Sequence, residues 1–310
     1  MCAGLHTDGG SQRIAVTGAS GLVGRRLCAF LSSVGCRVEP LVRRAPRVGS
    51  PEIRWDPAHG RIDAARLEGV AAVVHLAGEN IAGGRWTAAR KQAILQSRVE
   101  GTSVLSQALA GLENRPGVLV SASGIGYYGN RGDQSVDEHS PPGSGFLAEV
   151  CQQWEAATEA AAKAGIRVVH LRTGMVLAVE GGALAYMLTP YRLGLGGRIG
   201  PGTQMVSWIA LDDLVGCIHH LIAHQEVQGP VNAVAPQSVS NADLVRTLGR
   251  VLHRPTLFPK PAWLIRAVVG EMGEALLLHG ARVLPAKLQA SGFNFLYPDL
   301  ESALRHELGS

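Results

Sequence analysis

Three glycines near the start of the chain have a spacing suited to phosphate binding: Gly18, Gly21 and Gly24 in the stretch VTGASGLVG. The first permits a tight turn, the second lets the backbone approach a pyrophosphate, and the third lets a helix pack closely on a strand. A phosphate would sit at the N-terminus of that helix. The triad therefore predicts a dinucleotide site. The other loop residues assigned to it are Ser20, Leu22 and Val23.

Two arginines indicate which dinucleotide would bind. A site for NAD normally carries Asp or Glu at the end of the second strand, about 20 residues beyond the glycines. Here that strand ends in LVRR, which places Arg43 and Arg44 at this point. A guanidinium group suits the 2′-phosphate of NADP, whereas a carboxylate would repel it. The sequence thus predicts NADP(H) as cofactor. The alternative interpretation is two solvated arginines at a strand end.

Candidate proton donors follow two predicted strands. Ser121 and Ser123 lie at the end of the stretch GVLVSAS, Tyr127 and Tyr128 come next, and Glu79 follows an earlier apolar run. Hydroxyl, phenol and carboxyl groups can all exchange a proton with a substrate. We assign Ser123, Tyr128 and Glu79 as candidate catalytic residues and Ser121 to the cofactor site. A tyrosine that only packs after its strand is the alternative for Tyr128.

Alternating strands and helices would position these residues. Short apolar runs predict strands at 13–18, 37–44, 70–78, 117–123 and 166–172. Helical patterns between these strands cover residues 21–35, 87–112 and 144–165. Strands that alternate with helices form a parallel sheet covered on both faces. The predicted fold class is α/β, a doubly wound Rossmann-type parallel sheet with a smaller C-terminal α/β substrate lobe.

The pattern of predicted strands and helices also gives the expected domain limits. Residues 1–11 lack a long apolar core and are predicted to be a disordered leader. Residues 12–180 form the NADP-binding domain, and a strand–helix–strand pattern at about 205–235 completes its sheet. The glycine-rich stretch 181–204 and the mixed pattern of 236–310 together form the substrate lobe.

Composition excludes several classes of protein. The 310 residues are 46% hydrophobic and 17% charged, with a net charge of +4 and no dense Lys/Arg block, so we expect no nucleic-acid partner. No apolar stretch reaches about 18 residues, so we expect no membrane partner. Five cysteines without C-x-x-C spacing indicate reduced thiols in a cytoplasmic protein. The eleven histidines show no metal-ligand spacing, so no metal site is expected. The expected oligomeric state is a monomer or a homodimer.

Several motifs resemble a known superfamily. The spacing G-x-x-G-x-x-G, with VVHLAG, SRVEGT and VSASGIGYYG further on, resembles extended short-chain dehydrogenases/reductases. HLAGENIAGGRW, GFLAEVCQQWEAA and PYRLGLGGRIGPGTQMVSWI, with the C-terminal lobe, resemble its epimerase-like family 39U, whose bacterial members are often labelled nucleoside-diphosphate-sugar epimerases. This resemblance implies NADP binding, with Arg43 as the better of the two arginines. The further cofactor residues that it implies are Leu76, Ala77, Arg98 and Met175.

The resemblance also exposes a missing pair. The usual mechanism of the superfamily uses a Tyr phenol and, four residues later on the same helix face, a Lys that assists it. Two registers are possible in the helix that begins near residue 146. Phe146 and Val150 occupy the two positions in one register, and Leu147 and Cys151 occupy them in the other. Neither register offers a phenol or an ammonium group.

Three functional hypotheses are consistent with these sequence features. The leading one is an NADP(H)-binding oxidoreductase that acts on an unknown small molecule without the Tyr-x-x-x-Lys pair. A nucleotide-sugar epimerase or dehydratase is the first alternative, although it would require a base at the sugar hydroxyl. The second alternative is a non-catalytic NADP(H)-binding or sensing protein, which the missing pair favours.

Overall fold

The computed structural model describes residues 11–309 as a mixed α/β fold. Its strands are β1 (Arg13–Thr17), β2 (Arg37–Val42), β3 (Ile53–Asp56), β4 (Arg61–Ile62), β5 (Ala72–His75), β6 (Val118–Gly124), β7 (Ser135–Val136), β8 (Arg167–Thr173), β9 (Met175–Leu177), β10 (Met205–Val206), β11 (Trp208–Ala210), β12 (Gly229–Ala233), β13 (Val239–Ser240) and β14 (Arg282–Val283). The predicted leader, residues 1–11, lies almost entirely outside the described residues.

The helices alternate with the strands over most of the chain. They are α1 (Leu22–Ser33), α2 (Ala88–Ala110), α3 (Phe146–Ala156), α4 (Glu159–Lys163), α5 (Gly182–Arg192), α6 (Leu211–Ala223), α7 (Asn241–Val251), α8 (Ala262–Val269), α9 (Glu271–Gly273), α10 (Ala286–Ala290) and α11 (Leu300–Leu308). None of the helices among residues 11–309 is long and apolar enough to cross a membrane.

Eight strands make one sheet in the order β12-β8-β6-β5-β1-β2-β3-β4. Every neighbouring pair in this sheet is parallel except β3 with β4, which is antiparallel. The predicted fold class, a Rossmann-type parallel sheet, is therefore confirmed. Chain order reverses beside β1, so the carboxyl ends of β1 and β5 open into the crevice where such folds bind ligands.

Two parts of the sheet differ from the sequence prediction. β3 and β4 extend it beyond β2, although no strand was predicted there. Conversely, the stretch MVSWIAL does not rejoin the sheet as expected. It breaks into β10, which pairs with β13, and β11, which pairs with β9, and only β12 adds to the edge of β8.

Helices cover both faces of the sheet, as the apolar strands require. On one face, Leu27 and Leu31 of α1 and Ile218 of α6 pack on alternate residues of β1, β5, β6 and β8. On the other face, Leu105 and Leu109 of α2 pack on the intervening residues. Because side chains alternate along a strand, Ser121 and Ser123 share the face that α2 covers.

Candidate cofactor and active site

The glycine loop connects β1 to α1 in a conformation that only glycine tolerates easily. Gly18 has φ +67°, and a Cβ atom there would lie 2.9 Å from the carbonyl carbon of Leu76. A Cβ atom on Gly24 would lie 2.1 Å from the carbonyl oxygen of Gly18, so the helix rests directly on the loop. The first and third glycines are thus required by close backbone packing.

Gly21 has a different role, because space above it is open. A Cβ atom there would meet only the Gly18 carbonyl oxygen, at 3.2 Å. Gly21 is the exposed N-cap of α1 and, as a glycine, has no side chain that could cap the helix. The first turn of α1 contains no acidic residue. The free N–H groups and positive end of α1 therefore fit a pyrophosphate.

The neighbouring strand end is held against this loop by a buried hydroxyl. Thr17 Oγ1 accepts hydrogen bonds from the backbone N–H groups of Leu76 at 3.1 Å and Ala77 at 3.2 Å. Its own proton is then directed to His75 Nδ1, 2.7 Å away. The backbone of Leu76 and Ala77, two predicted cofactor residues, is consequently fixed beside Gly18.

His75 continues this chain of hydrogen bonds into the core. With Nδ1 accepting from Thr17, His75 Nε2 carries the proton and donates to Thr102 Oγ1 at 3.0 Å. Thr102 Oγ1 also accepts from Trp154 Nε1 at 2.9 Å. Complete burial lowers the pKa of His75 from 6.5 to about 4, so the ring is neutral near pH 7. Sequence patterns alone gave no indication of this chain.

The two arginines after β2 are in different states. Arg44 forms an ion pair with Glu52 and donates to the carbonyl oxygen of Ala45 at 2.9 Å. The hydrogen bond from Arg44 lowers the pKa of the Glu52 carboxyl to about 2. Arg43 is exposed, and within residues 11–309 it makes neither an ion pair nor a side-chain hydrogen bond. Arg43 is thus the cation left available for an anionic ligand.

Arg98 lies beneath the loop that follows β5. It is 9% exposed, and a Cβ atom on Gly78 would lie 3.4 Å from its guanidinium carbon. One guanidinium nitrogen donates to the carbonyl oxygen of Ile94 at 3.0 Å, and the group stacks over Trp154 at 4.8 Å. Burial lowers the pKa of Arg98. Its remaining N–H groups make Arg98 a fixed donor beside the HLAG loop.

The positions of the other predicted cofactor residues do not by themselves indicate a contact with a cofactor. Ser20 is exposed in the glycine loop, and Val23 packs on the core beneath it. Leu22 lies at the start of α1, within 3.6 Å of the position of a Cβ atom on Gly181. Met175 begins β9, is half-buried, and packs with the cluster of the C-terminal part. Their roles toward a cofactor remain predictions.

Helix α3 presents one defined stripe to the end of β6. A Cβ atom on Gly126 would lie 3.0 Å from Leu147 Cβ, and Cys151 Sγ lies 3.5 Å from the carbonyl oxygen of Gly124. Glu155 accepts a hydrogen bond from Ser123 Oγ at 2.7 Å. These three residues of α3 are four positions apart, so the geometry selects the register with Leu147 and Cys151.

The other face of α3 packs away from the strand end. Phe146 and Val150 belong to an apolar cluster with Trp86 and Ile94. On the facing stripe, burial raises the pKa of Cys151 to about 11, which keeps the thiol protonated near pH 7. The position where the usual mechanism of the superfamily would need a lysine therefore holds a neutral, buried group.

Ser123 and Tyr128 belong to one buried polar network. Its centre is Arg172, 3% exposed, which donates two hydrogen bonds of 2.8 Å to the carboxylate of Glu155 and one of 3.0 Å to Tyr128 Oη. Tyr128 Oη donates in turn to Asn232 Oδ1 at 2.7 Å. Burial raises the pKa of Tyr128 to about 12. Both hydroxyls are thus already engaged by protein groups.

Three other candidate side chains take no part in the hydrogen bonds of this network. The Tyr127 ring stacks on the Arg172 guanidinium, with 3.4 Å from the guanidinium carbon to the ring centroid. Ser121 Oγ is buried without a hydrogen-bond partner. Glu79 lies apart from the network, with 44% of its side chain exposed, and pairs with Arg90 at 2.7 Å. The three candidate catalytic residues are therefore not brought together.

Sequence reasoning did not anticipate the central members of the network. Arg172 lies in the stretch VVHLR, and Asn232 lies within β12, two residues after Pro230. An arginine inside an otherwise apolar run is a usable signal, because a buried cation needs a buried anion. Its partner, Glu155, sits four residues after Cys151 on the stripe that faces the strand.

Comparison with known proteins places this arrangement in a family. The model of the NAD dependent epimerase/dehydratase family matches residues 14–234, and a domain of unknown function (DUF1731) matches residues 260–307. The chain belongs to the NAD dependent epimerase/dehydratase family. The sequence-based resemblance to family 39U is also confirmed, since relatives that carry this family name match over nearly the whole chain.

Individual relatives extend over almost the same length. The epimerase family protein MT2273 of Mycobacterium tuberculosis is 43% identical over 291 residues, covering 94% of this chain and 96% of that protein. The human epimerase family protein SDR39U1 is 36% identical over 297 residues, covering 95% and 99%. None of these names specifies a substrate.

Two solved structures are similar. The crystal structure of human SDR39U1 (isoform 2) with NADPH gives a TM-score of 0.88 at 35% identity and covers 96% of this chain and 99% of that chain. The structure of a nucleoside-diphosphate sugar epimerase from Corynebacterium glutamicum gives a TM-score of 0.81 at 38% identity. That match covers 97% of this chain and 59% of the other.

Proposed function

We propose that this protein binds NADP(H) and exchanges a hydride with a small molecule. The observation that carries the proposal is Arg43, an exposed cation at the end of β2 that has no partner among residues 11–309, where an NAD-specific site would have a carboxylate. The human relative with 35% identity, solved with NADPH, supports the same cofactor. The open N-terminus of α1 supplies the adjoining phosphate site.

Each part of the cofactor has a matching group in this chain. Gly18, Gly21 and Gly24 would allow a pyrophosphate to approach α1, and Arg43 would be available to the 2′-phosphate. Arg98, beside the loop after β5, would offer its remaining N–H groups to the nicotinamide half. The bound nicotinamide supplies or accepts the hydride, and the protein contributes position and exclusion of water.

Proton transfer is the weakest part of the machinery. Leu147 and Cys151 provide no acid at the usual helix positions, and Ser123 and Tyr128 use their hydroxyls within the buried network. Of the three residues assigned as catalytic candidates, Glu79 is the one that remains, because its carboxylate is exposed on the loop after β5. We infer that the proton comes from Glu79 or from water.

Two measurements test this proposal. Fluorescence titration should show that wild-type protein binds NADPH at least about tenfold more tightly than NADH, since NADH lacks the phosphate that Arg43 contacts. Turnover should then be sought with a panel of carbonyl, imine and enone compounds. Equal affinity for NADH and NADPH would refute the cofactor assignment.

Once a substrate is found, Glu79→Gln separates the two proton sources. If Glu79 is the acid, kcat should fall about 10²–10⁴-fold. Glu159→Gln is a matched control, because Glu159 is also exposed and ion-paired, with Lys163. Unchanged turnover in Glu79→Gln would assign the proton to water.

A non-catalytic NADP(H)-binding or sensing protein is the second candidate. It is favoured by one observation, namely that both hydroxyls expected to act on a substrate are hydrogen-bonded inside the fold. Tight NADPH binding without oxidation across the whole panel would support this function. Any reproducible, enzyme-dependent oxidation of NADPH would exclude it.

The nucleotide-sugar epimerase or dehydratase alternative draws on the name of the Corynebacterium glutamicum structure. Such reactions require a base at the sugar hydroxyl, and α3 offers neither phenol nor ammonium on its strand-facing stripe. Interconversion of added sugar nucleotides by protein with tightly held NADP would establish it. Absence of interconversion, with intact cofactor binding, would remove it.

A further inference from the structure

Two segments outside the cofactor site carry cations without any carboxylate. Residues 181–202 and 252–270 contain no Asp or Glu. The five Lys and Arg residues in these two segments are Arg192, Arg198, Arg254, Lys260 and Arg266. In a chain with 25 acidic residues, this separation of charge gives one region a positive surface.

The two segments lie side by side. Phe258 N–H donates to the carbonyl oxygen of Gly196 at 3.1 Å, and Lys260 N–H donates to that of Arg198 at 2.8 Å. Arg254 Nε donates to the carbonyl oxygen of Arg192 at 3.0 Å. α8 begins two residues after Lys260, so its first turn adjoins the same region.

Large apolar side chains project from these segments into solvent. Apart from Tyr186 in α5, six of them are between 49% and 77% exposed: Leu193, Leu195, Leu257, Phe258, Trp263 and Val268. Helix α8 buries Ile265 while Trp263 and Val268 point outward. Monomeric proteins seldom expose contiguous apolar groups on this scale without a partner. We call these six residues together with the five cations the basic apolar face.

The charges on this face identify the chemistry of its partner. Only Arg266 has an acidic partner, Glu274 at 3.2 Å. Within residues 11–309, the side chains of Arg198, Arg254 and Lys260 donate to backbone carbonyl oxygens but form no ion pair. The Arg192 side chain has neither a hydrogen bond nor an ion pair among these residues. Glu271, just beyond α8, is paired with Lys91. The face therefore has free positive charge and complements an anionic surface.

A second copy of the chain is a poor match for this face. A two-fold contact would bring the same surface against itself and set five cations opposite five others. A lipid surface satisfies both features, since apolar and tryptophan side chains enter the headgroup region while Arg and Lys meet lipid phosphates. We propose that the basic apolar face attaches the protein reversibly to the surface of an anionic membrane. This differs from the expectation of no membrane partner, which was drawn from the lack of a stretch long enough to span a bilayer.

Vesicle sedimentation tests the proposal with full-length protein. Vesicles of pure phosphatidylcholine are compared with vesicles that contain about one third phosphatidylglycerol. Binding should be at least about tenfold stronger to the anionic vesicles and should weaken as salt is raised, because exposed charges are screened. Equal binding to both vesicle types, or no binding to the anionic ones, would overturn the proposal.

Paired variants assign the binding to this face. Phe258→Ser/Trp263→Ser and Arg198→Glu/Lys260→Glu should each reduce anionic-vesicle binding at least about tenfold. Val48→Ser and Arg61→Glu are the controls, since both residues are fully or largely exposed elsewhere. Thermal unfolding and NADPH titration show that each variant remains folded.

Other partners would give different results. Equal loss of vesicle binding in the control variants would refute the assignment to this face. A concentration-dependent dimer that Phe258→Ser/Trp263→Ser dissociates would show that a second copy covers the face, against the proposal. Displacement of the protein from anionic vesicles by short nucleic-acid duplexes at equal phosphate concentration would favour a nucleic-acid partner and also refute it.

Discussion

The two ends of the cofactor crevice are built on different principles. At the phosphate end, between β1 and α1, the groups suited to bind phosphate are backbone N–H groups. The glycines contribute because they have no side chain to block the approach to them. At the opposite end, between β6 and α3, the candidate reactive groups are side chains. There the structure turns Ser123 and Tyr128 inward, where Glu155 and Arg172 hold them.

This difference explains why one end is readable from sequence and the other is not. A glycine motif specifies backbone shape, and backbone shape is the binding site. A serine or tyrosine becomes catalytic only if its surroundings leave it free, which spacing cannot show. The phosphate end thus has the backbone geometry that the motif predicts, while the hydroxyl groups at the end of β6 are hydrogen-bonded inside the core.

The largest loss of stability is expected on substitution of Glu155, the buried carboxylate that pairs with Arg172. Glu155→Ala leaves the Arg172 guanidinium buried without its anion and should lower the free energy of unfolding by about 3–5 kcal/mol. Urea denaturation measures this. Glu159→Ala, which removes an exposed pair, should cost less than about 0.5 kcal/mol. Equal costs for the two variants would show that the network is not structural.

The hydrogen-bonded chain below the phosphate end should make stability pH-dependent. The pKa of His75 is about 4 in the folded state against 6.5 ordinarily, so only the unfolded state takes up the proton between these values. His75 therefore supports the fold fully above pH 6.5 and loses about 3 kcal/mol of stabilisation as the pH falls to 4.

Denaturation of His75→Asn and wild type at pH 7, 5.5 and 4 measures the contribution of His75. The variant should be less stable at pH 7 but should lose less stability on acidification. His59→Asn is the control, because His59 is exposed. If the pH dependence of His75→Asn equals that of wild type, the neutral buried state of His75 is wrong.

Gly21→Val sharpens the account of the phosphate end. The added side chain would occupy the open space above α1, so NADPH affinity should fall about a hundredfold or more. The thermal transition should persist, because a Cβ atom at Gly21 meets only one protein atom, at 3.2 Å. Gly111→Val, at an exposed position with φ −82°, controls for the added valine. Retained affinity in Gly21→Val would argue against the site.

The arginine pair offers an internally matched comparison. Arg43→Ala should weaken NADPH binding about tenfold to a hundredfold, the worth of a charge-assisted contact, and leave NADH binding unchanged. Arg44→Ala should have a smaller effect, because Arg44 already pairs with Glu52. Fluorescence titration of both variants with both cofactors decides this. The reverse ranking would make Arg44 the phosphate ligand.

Tyr128→Phe is expected to have the smallest effect. It removes hydrogen bonds to Asn232 and Arg172 and should cost about 1–2 kcal/mol of stability. NADPH affinity and any turnover should remain within about twofold of wild type. A loss of turnover of 10²-fold or more without a loss of stability would restore Tyr128 as an acid.

How far the sequence predicts this molecule depends on the kind of interaction. The strands β1, β2, β5, β6 and β8 were predicted because each is a short apolar run between helical patterns. β3 and β4 were not, because IRWD and RI are too short and mixed to show a period. Their place in the sheet is decided by packing of Ile53 and Trp55 under α2.

The candidate site divides in the same way. The glycine loop and the free cation at Arg43 agree with motif and spacing. The register of α3 stayed open, since an apolar stripe at 146 and 150 is as regular as the one at 147 and 151. It is decided by contacts between elements distant in sequence, such as Glu155 with Ser123 and Arg172, which no local pattern contains.

The buried indole of Trp154 gives the protein an optical reporter of its own. Its ring stacks on Arg98, and its N–H group ends the hydrogen-bonded chain that runs through Thr102 and His75 to Thr17. Light emitted by tryptophan falls where reduced nicotinamide absorbs. Energy transfer from the five tryptophans of the chain, Trp154 among them, would therefore let occupancy of the crevice be followed in real time without any attached label.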